Sequence, residues 1–269
     1  MPGAELPSVG LGTWQNTDPE VCTRSVEYAL ELGYRHVDTA QFYRNEEHVG
    51  EGLARADVDR DGVVVATKVH PEGPYESVDD VVGAARGCCE RLGVDYLDLL
   101  YVHWPVGNYD PETVMPQFDD AVEEGLIRHV GVSNFEPEIV EAAQAELEAP
   151  VFANQVEMHP LLQQERLHEH ALEHDYWLVA YSPLARGEVF EVPELQEIAE
   201  KHGVSEAQVS LAWLTAKENV VAVPKASTRE HLRDNWAARD LELDAEDREK
   251  IAGIDRTERL LDRAGAPWN

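Results

Sequence analysis

The feature that most constrains this chain is a rhythm in which short apolar runs alternate with longer amphipathic stretches, eight times over. The strand candidates are Val9–Thr13, His36–Thr39, Val63–Val69, Tyr96–His103, Ile127–Ser133, Phe152–Glu157, Trp177–Ser182 and Val220–Pro224, with a helical pattern between each consecutive pair. Such alternation demands parallel strands, because each helix carries the chain back to the end of the sheet where the next strand begins. Helix starts are marked by Asp18 before Pro19, Ser77 with Asp80, Asp110 before Pro111, Ser205 with Gln208, and Ser227 with Glu230. Gly33, Gly93, Gly125 and Gly203 stand where helices should stop. No linker, repeat or low-complexity segment divides the 269 residues. The expected architecture is therefore one α/β domain over residues 1–269, an eight-stranded parallel (β/α)8 TIM barrel with its helices outside. An open doubly wound sheet would carry a glycine-rich fingerprint after its first strand, and the glycines do not fit one.

Composition narrows the partners. With 43% hydrophobic and 28% charged residues the chain has material for a sizeable core. It has no apolar run of membrane-spanning length, and its start lacks the basic flank and apolar stretch of a signal peptide, so a cytoplasmic protein is expected. The formal net charge of −31 disfavours nucleic acid and anionic membrane surfaces. Acids spread along the whole chain, with five lysines against seventeen arginines, suggest a halophilic surface suited to concentrated salt. Cys22, Cys88 and Cys89 form no C-x-x-C pair and read as buried apolar residues in a reducing compartment.

A parallel barrel carries its chemistry at the carboxyl ends of its strands. Strand two ends in Asp38, followed by Thr39-Ala40-Gln41-Phe42-Tyr43; strand three ends near Lys68; strand four ends in His103, followed by Trp104-Pro105. A carboxylate, a phenol, an ammonium and an imidazole make a proton-transfer set. Lys68 beside Tyr43 should favour the phenolate and lower a pKa that starts near about 10, with Asp38 holding Lys68 charged. His103 could orient and polarise a carbonyl. Singly these residues read as an ordinary ion pair and a core histidine; together, on successive strand ends, they point to a site. The other strand ends carry Ser133, Asn134, Gln155, Tyr181, Ser182 and Lys225, groups suited to binding. Amides and a hydroxyl around Tyr181 fit a stacked nicotinamide, and Lys225 beside a helix start at Ser227 fits a phosphate.

These residues resemble the aldo-keto reductase family over nearly the whole chain, from about Ser8 to Trp268. Gly10-Leu11-Gly12-Thr13-Trp14 is similar to the family's first strand and Asp38-Thr39-Ala40 with Tyr43 to its D-T-A-x-x-Y signature. Lys68, His103-Trp104-Pro105, Gly131-Val132-Ser133-Asn134-Phe135, Asn154-Gln155, Tyr181-Ser182-Pro183-Leu184 and Pro224-Lys225 continue the pattern in order. The resemblance implies NAD(P)H-dependent reduction of aldehydes or ketones, with Tyr43 as proton donor, Lys68 and Asp38 tuning it, His103 orienting the carbonyl, and no metal. It also implies cofactor contacts from Thr13, Trp14, Ser133, Asn134, Gln155, Tyr181, Ser182, Pro183, Leu184, Lys225, Ser227, His231, Asp234 and Asn235.

One departure concerns the cofactor. The family pattern P-K-S-x-x-x-E-R-x-x-E-N reads here as Pro224-Lys225-Ala226-Ser227-Thr228-Arg229-Glu230-His231-Leu232-Arg233-Asp234-Asn235. His231 stands in the place of a phosphate-gripping arginine and Ala226 in that of a hydroxyl, so NADH is expected to serve alongside NADPH unless Arg229 or Ser227 compensates. Trp14, Tyr43, His103 and Trp104, with Phe42, are expected to wall a substrate pocket. Modest loops and a short chain end resemble the smaller prokaryotic members, including diketogluconate-reductase-like ones, so an open pocket for small carbonyl compounds and a monomer are expected. His168, His170 and His174 lie together, and His170 and His174 share a helix face, but the pattern supplies no third ligand and no metal is expected. Rival readings are a cofactor-binding regulatory or structural protein on the same barrel, which the intact reactive set disfavours, and a metal-dependent barrel hydrolase using His103 and Asp38, which would need clustered His and Asp ligands at strand ends, where no H-x-H occurs. The Y-x-x-x-K spacing of short-chain dehydrogenases is absent.

Overall fold

The computed structural model describes residues 5–70, 80–107, 109–262 and 265–269. Eight parallel strands follow one another in strict order around a single sheet: β1 (Leu11–Gly12), β2 (His36–Asp38), β3 (Val64–Val69), β4 (Leu97–Val102), β5 (Ile127–Ser133), β6 (Val151–Glu157), β7 (Trp177–Tyr181) and β8 (Val220–Ala222). The sheet closes on itself. Val9 bridges to Ala222 and Gly12 to Lys225, both parallel, and Gly10 and Gly12 donate backbone N–H groups to Ala222 and Pro224. Closure removes both sheet edges. At this seam a Cβ on Gly12 would lie 2.6 Å from the Val223 carbonyl oxygen, so only glycine lets the two strands meet.

Most ladders are shorter than the apolar runs that announced them, although β5 keeps its expected bounds and β6 gains Val151. Tyr96–His103 contracts to Leu97–Val102 and Val9–Thr13 to Leu11–Gly12 with its flanking bridge. His103 and Thr13 thus stand just past their strands at the barrel mouth, each still held by its backbone N–H, to the Val69 and Asp38 carbonyls respectively.

Ten helices among the described residues surround the barrel: α1 (Pro19–Leu32), α2 (Glu46–Arg55), α3 (Val81–Leu92), α4 (Pro111–Glu123), α5 (Pro137–Ala145), α6 (Glu165–Glu173), α7 (Pro193–His202), α8 (Glu206–Thr215), α9 (Arg229–Ala237) and α10 (Ala245–Ala252). Asp18 caps α1 by accepting from the Val21 N–H, and Ser205 caps α8 through Gln208. Two starts are corrected. Asp80 itself caps α3 by accepting from Gly83, while Ser77 lies outside the described residues. Thr228, rather than Ser227, caps α9 by accepting from His231. Both hydroxyls fit the local pattern, and Ser227 instead lies 3.4 Å from the Lys225 ammonium. Gly33, Gly93 and Gly203 end their helices in the left-handed conformation as expected.

Side chains alternate in and out along each strand. Leu99 and Tyr101 of β4 face inward with Ala66, Phe152, Ala153, Val179, Val221 and Val223, and Leu6 joins this inner core. Leu100 and Val102 face outward into the larger layer between strands and helices. This inner core fills the lower barrel beneath the upper rim. No described helix is long and apolar enough to cross a membrane.

Candidate active site

Asp38, at the end of β2, and Lys68, near the end of β3, are 4% and 1% exposed and pair at 2.5 Å (Nζ to Oδ1). Lys68 also donates to the Thr39 carbonyl at 2.7 Å, and Gln155 donates from Nε2 to the second Asp38 oxygen at 2.8 Å. An ion pair this deep needs its remaining lone pairs met by such bonds. Burial pulls the Lys68 ammonium below its ordinary range, while the Asp38 carboxylate pulls it back up.

Tyr43 reaches the same place from a short 3₁₀ turn, Gln41–Tyr43, with the Lys68 ammonium 5.3 Å from its ring centre. The turn is braced from below. Asn45 accepts from the Thr39 hydroxyl and donates to the Thr13 and Asn16 carbonyls, and Glu46 accepts from Thr67 and pairs with Arg91. The expectation that Lys68 lowers the phenol pKa is corrected. Burial, then the Asp38 and Tyr181 charges, push Tyr43 well above its ordinary value. Lys68 directs its donors to Asp38 and Thr39, and its charge is too occupied there to offset desolvation of the phenolate. The hydroxyl is consequently held in the protonated form.

His103 completes the set, its ring centroid 5.9 Å from that of Tyr43 in edge-to-face geometry. Its carbonyl accepts from Asn134 Nδ2 at 3.0 Å. Asn134 adopts a left-handed φ of 66° at the end of β5, and its Oδ1 accepts from the Tyr181 hydroxyl at 2.7 Å. Ser133 donates to the Gln155 carbonyl. The predicted binding residues of β5, β6 and β7 thus form one hydrogen-bonded wall facing the reactive set.

A cavity of about 1230 Å³ opens over these groups. It is lined by Thr13, Trp14, Asp38, Tyr43, His103, Trp104, Ser133, Asn134, Gln155, Tyr181, Ser182, Pro183, Leu184 and Lys225, all foreseen in the sequence. Its volume exceeds the roughly 300–1,000 Å³ that holds one drug-sized ligand. Room for a dinucleotide and a small second molecule follows. The wall chemistry also fits a nicotinamide nucleotide: neutral amides and hydroxyls beside the Tyr181 ring, and a cation, Lys225, at the far end.

The residues expected at the adenosine phosphate stand just before α9 and along it. Ser227, His231, Asp234 and Asn235 lie outside the cavity lining. The Asp234 carboxylate accepts from Ser205 and Gln208, tying α9 to the start of α8. Arg229, considered as a compensating phosphate ligand, pairs with Glu31 at 3.0 Å and covers the Tyr28 ring.

Several lining residues carried no sequence signal strong enough to single them out. His70 has its ring 6.0 Å from that of His103. Arg186 sits over Trp14 at 4.7 Å, within a turn where Ala185, Arg186 and Gly187 all have positive φ. Phe190 exposes a large apolar surface at the mouth, beside Phe42, which was expected there from the sequence. Leu261 belongs to a C-terminal segment anchored by buried Glu157, which accepts from the Leu260 and Leu261 N–H groups and lies 3.0 Å from His159 Nε2. Burial alone would raise the Glu157 carboxyl, but these bonds bring it below its ordinary value. Trp104, foreseen as a pocket wall, is 4% exposed and packs on Trp268 of the same segment.

On the outer wall, the histidine cluster is corrected in one respect. His170 and His174 have a third potential ligand, Glu141 of α5, which the local pattern could not supply.

The aldo/keto reductase family matches residues 8–256. A methylglyoxal reductase, DkgB of Escherichia coli O157:H7, is 38% identical over 97% of this chain and 97% of its own length. A glyoxal reductase of Bacillus subtilis is 36% identical over 96% and 92%. A solved structure described as a putative 2,5-diketo-D-gluconic acid reductase B superposes with a TM-score of 0.92 at 32% identity, covering 98% of this chain and 94% of that one.

Proposed function

Because the chain belongs to the aldo/keto reductase family and is an NAD(P)H-dependent carbonyl reductase, we propose that Tyr43 is its proton donor, His103 its carbonyl-orienting group, and short α-dicarbonyl compounds its substrates. The observation that carries this reading is the buried Asp38–Lys68 pair beneath Tyr43, with His103 facing the same cavity.

When bound, the reduced nicotinamide supplies a hydride to the carbonyl carbon. The wall of Ser133, Asn134, Gln155 and Tyr181 binds and orients its amide, and Lys225 offers a charge to phosphate. The substrate oxygen lies between Tyr43 and His103. As negative charge grows on that oxygen, the Tyr43 hydroxyl gives up its proton and His103 donates a hydrogen bond. A phenol held above its ordinary pKa is fully protonated at neutral pH, so the donor is ready before the substrate arrives. Lys68 and Asp38 act through Tyr43: the ammonium near the ring stabilises the phenolate that each turnover leaves, and Asp38 holds that ammonium in place. They are positioning residues.

The names of the two reductase relatives favour glyoxal-like substrates, and a mouth flanked by Phe42, Phe190 and the C-terminal segment supports small molecules entering directly. We read the working unit as a monomer. We read NADH as usable alongside NADPH, since His231 replaces an arginine, Ala226 replaces a hydroxyl, and Arg229 and Asp234 have partners elsewhere.

The test follows loss of reduced-nicotinamide absorbance in molar salt with methylglyoxal, glyoxal and longer aldehydes, for both cofactors. Turnover of the dicarbonyls at higher specificity constants than the aldehydes is expected. Binding of cofactor with no turnover would favour a regulatory protein on this scaffold. A preference for NADPH above about a hundredfold, about 2.7 kcal/mol, would overturn the cofactor reading.

A further inference from the structure

On the outer wall of the barrel, far in function from the cavity, we propose that Glu141, His170 and His174 form a binding site for a divalent zinc-class cation that clips α5 to α6. His170 lies in the last turn of α6 and His174, four residues on, is that helix's C-cap, its N–H donating to the His170 carbonyl. Their rings stack with centroids 4.1 Å apart at 27°. Glu141 faces them from α5, and the nitrogen and oxygen atoms the three residues can offer all lie within 4.8 Å of one another.

The detail of His170 favours a cation over a plain hydrogen bond. Its Nδ1 lies 2.8 Å from the hydroxyl of buried Tyr176, which fixes the ring and turns Nε2 toward Glu141. The Nε2 to Oε1 separation is 3.4 Å, beyond the 2.7–3.2 Å of a well-formed N–H···O bond. A tetrahedral ion with bonds of about 2.0–2.1 Å to nitrogen and oxygen holds its ligand atoms about 3.3–3.4 Å apart. An imidazole whose other nitrogen is engaged by a buried polar partner is also the usual arrangement of a metal ligand. Two imidazoles and one carboxylate select zinc, nickel or copper over magnesium or calcium, and leave a fourth position for water. The same two helices are already joined by Arg166, which pairs with Glu136 and Glu138 ahead of and within α5, so an ion would extend an existing seam.

The test uses the whole protein after treatment with a chelator, titrated with zinc chloride by calorimetry and by thermal melting, beside His174→Ala and Glu141→Gln. His174 is exposed and Glu141 is solvent-facing, so both variants should fold. Saturable binding of one ion by the parent is expected, weakened at least about tenfold in His174→Ala and at least about threefold in Glu141→Gln, with a zinc-dependent rise in Tm that His174→Ala loses. Carbonyl reduction should be unchanged in both variants. Parental zinc affinity in either variant, or no saturable binding below about 100 μM, would overturn the proposal.

Discussion

Replacing Lys68 by Met removes an ammonium from beneath the reactive phenol while keeping much of its hydrophobic stem. The Asp38 carboxylate then stays 4% exposed, with the Gln155 amide at 2.8 Å as its side-chain donor, and the Thr39 carbonyl loses its 2.7 Å partner. Breaking one side of a buried pair in this way costs about 3–5 kcal/mol, because a charge is left without compensation. With an unfolding entropy of about 2.1 cal/mol/K per residue, a chain of 269 residues loses about 1.8 °C in Tm per kcal/mol, so the variant should melt about 5–9 °C lower. Adding Asp38→Asn removes the stranded charge and should restore at least half of the loss, a coupling well above the few tenths of a kcal/mol seen between independent sites. Calorimetric melts of the parent, both single variants and the double variant in molar salt make the measurement. A drop under about 2 °C for Lys68→Met, or a double variant as unstable as the sum of the singles, would refute the claim that this is a mutually dependent buried pair.

Acid stability should depend on His36, which is buried inside the barrel, has no hydrogen-bond partner among the described residues on either ring nitrogen, and is pushed down to about 4 by burial. The unfolded chain takes up this proton near pH 6.5 and the folded protein only near 4, so the contribution is whole above 6.5 and is lost as pH falls toward 4, a span worth about 3 kcal/mol. Urea unfolding at pH 7 and pH 4.5 should therefore show a smaller acid loss in His36→Leu than in the parent, by about 2–3 kcal/mol, and equal losses would contradict it. Dialysis from molar salt into dilute buffer should lower the Tm, since a net charge of −31 repels itself more as screening falls. An unchanged Tm would remove the ground for a salt-adapted surface.

The barrel was legible because its determinants are local. Each strand is a short apolar run and each helix has its own start and stop, as Asp18 and Gly33 show for α1. The reactive set was legible for a related reason: once the strands are placed, Asp38, Lys68 and His103 must share a rim. What escaped depended on distance or on competing effects. The sequence marks Ser227 as a cap, but Thr228 takes that place while Ser227 lies beside the Lys225 ammonium, a choice between adjacent hydroxyls that the local pattern does not settle. The direction of the Tyr43 shift is a contest between a nearby ammonium and desolvation, which residue types alone cannot decide. Glu157 meets Leu260 and Leu261 across more than a hundred residues, and Glu141 meets His170 across a helix pair, so neither pairing leaves a periodic trace.

The central claim is that the Tyr43 hydroxyl delivers the proton. Tyr43→Phe keeps the ring against Lys68 and His103 and deletes only the donor. Cofactor binding, read by fluorescence titration, should stay within a few-fold of the parent, while kcat for methylglyoxal falls by about 10²–10⁴. The parent's kcat/KM for reduction should in addition stay level from about pH 6 to 9, because a phenol raised above its ordinary value of about 10 remains protonated throughout. A variant that binds cofactor normally and keeps more than about a tenth of the parent's turnover would contradict the assignment.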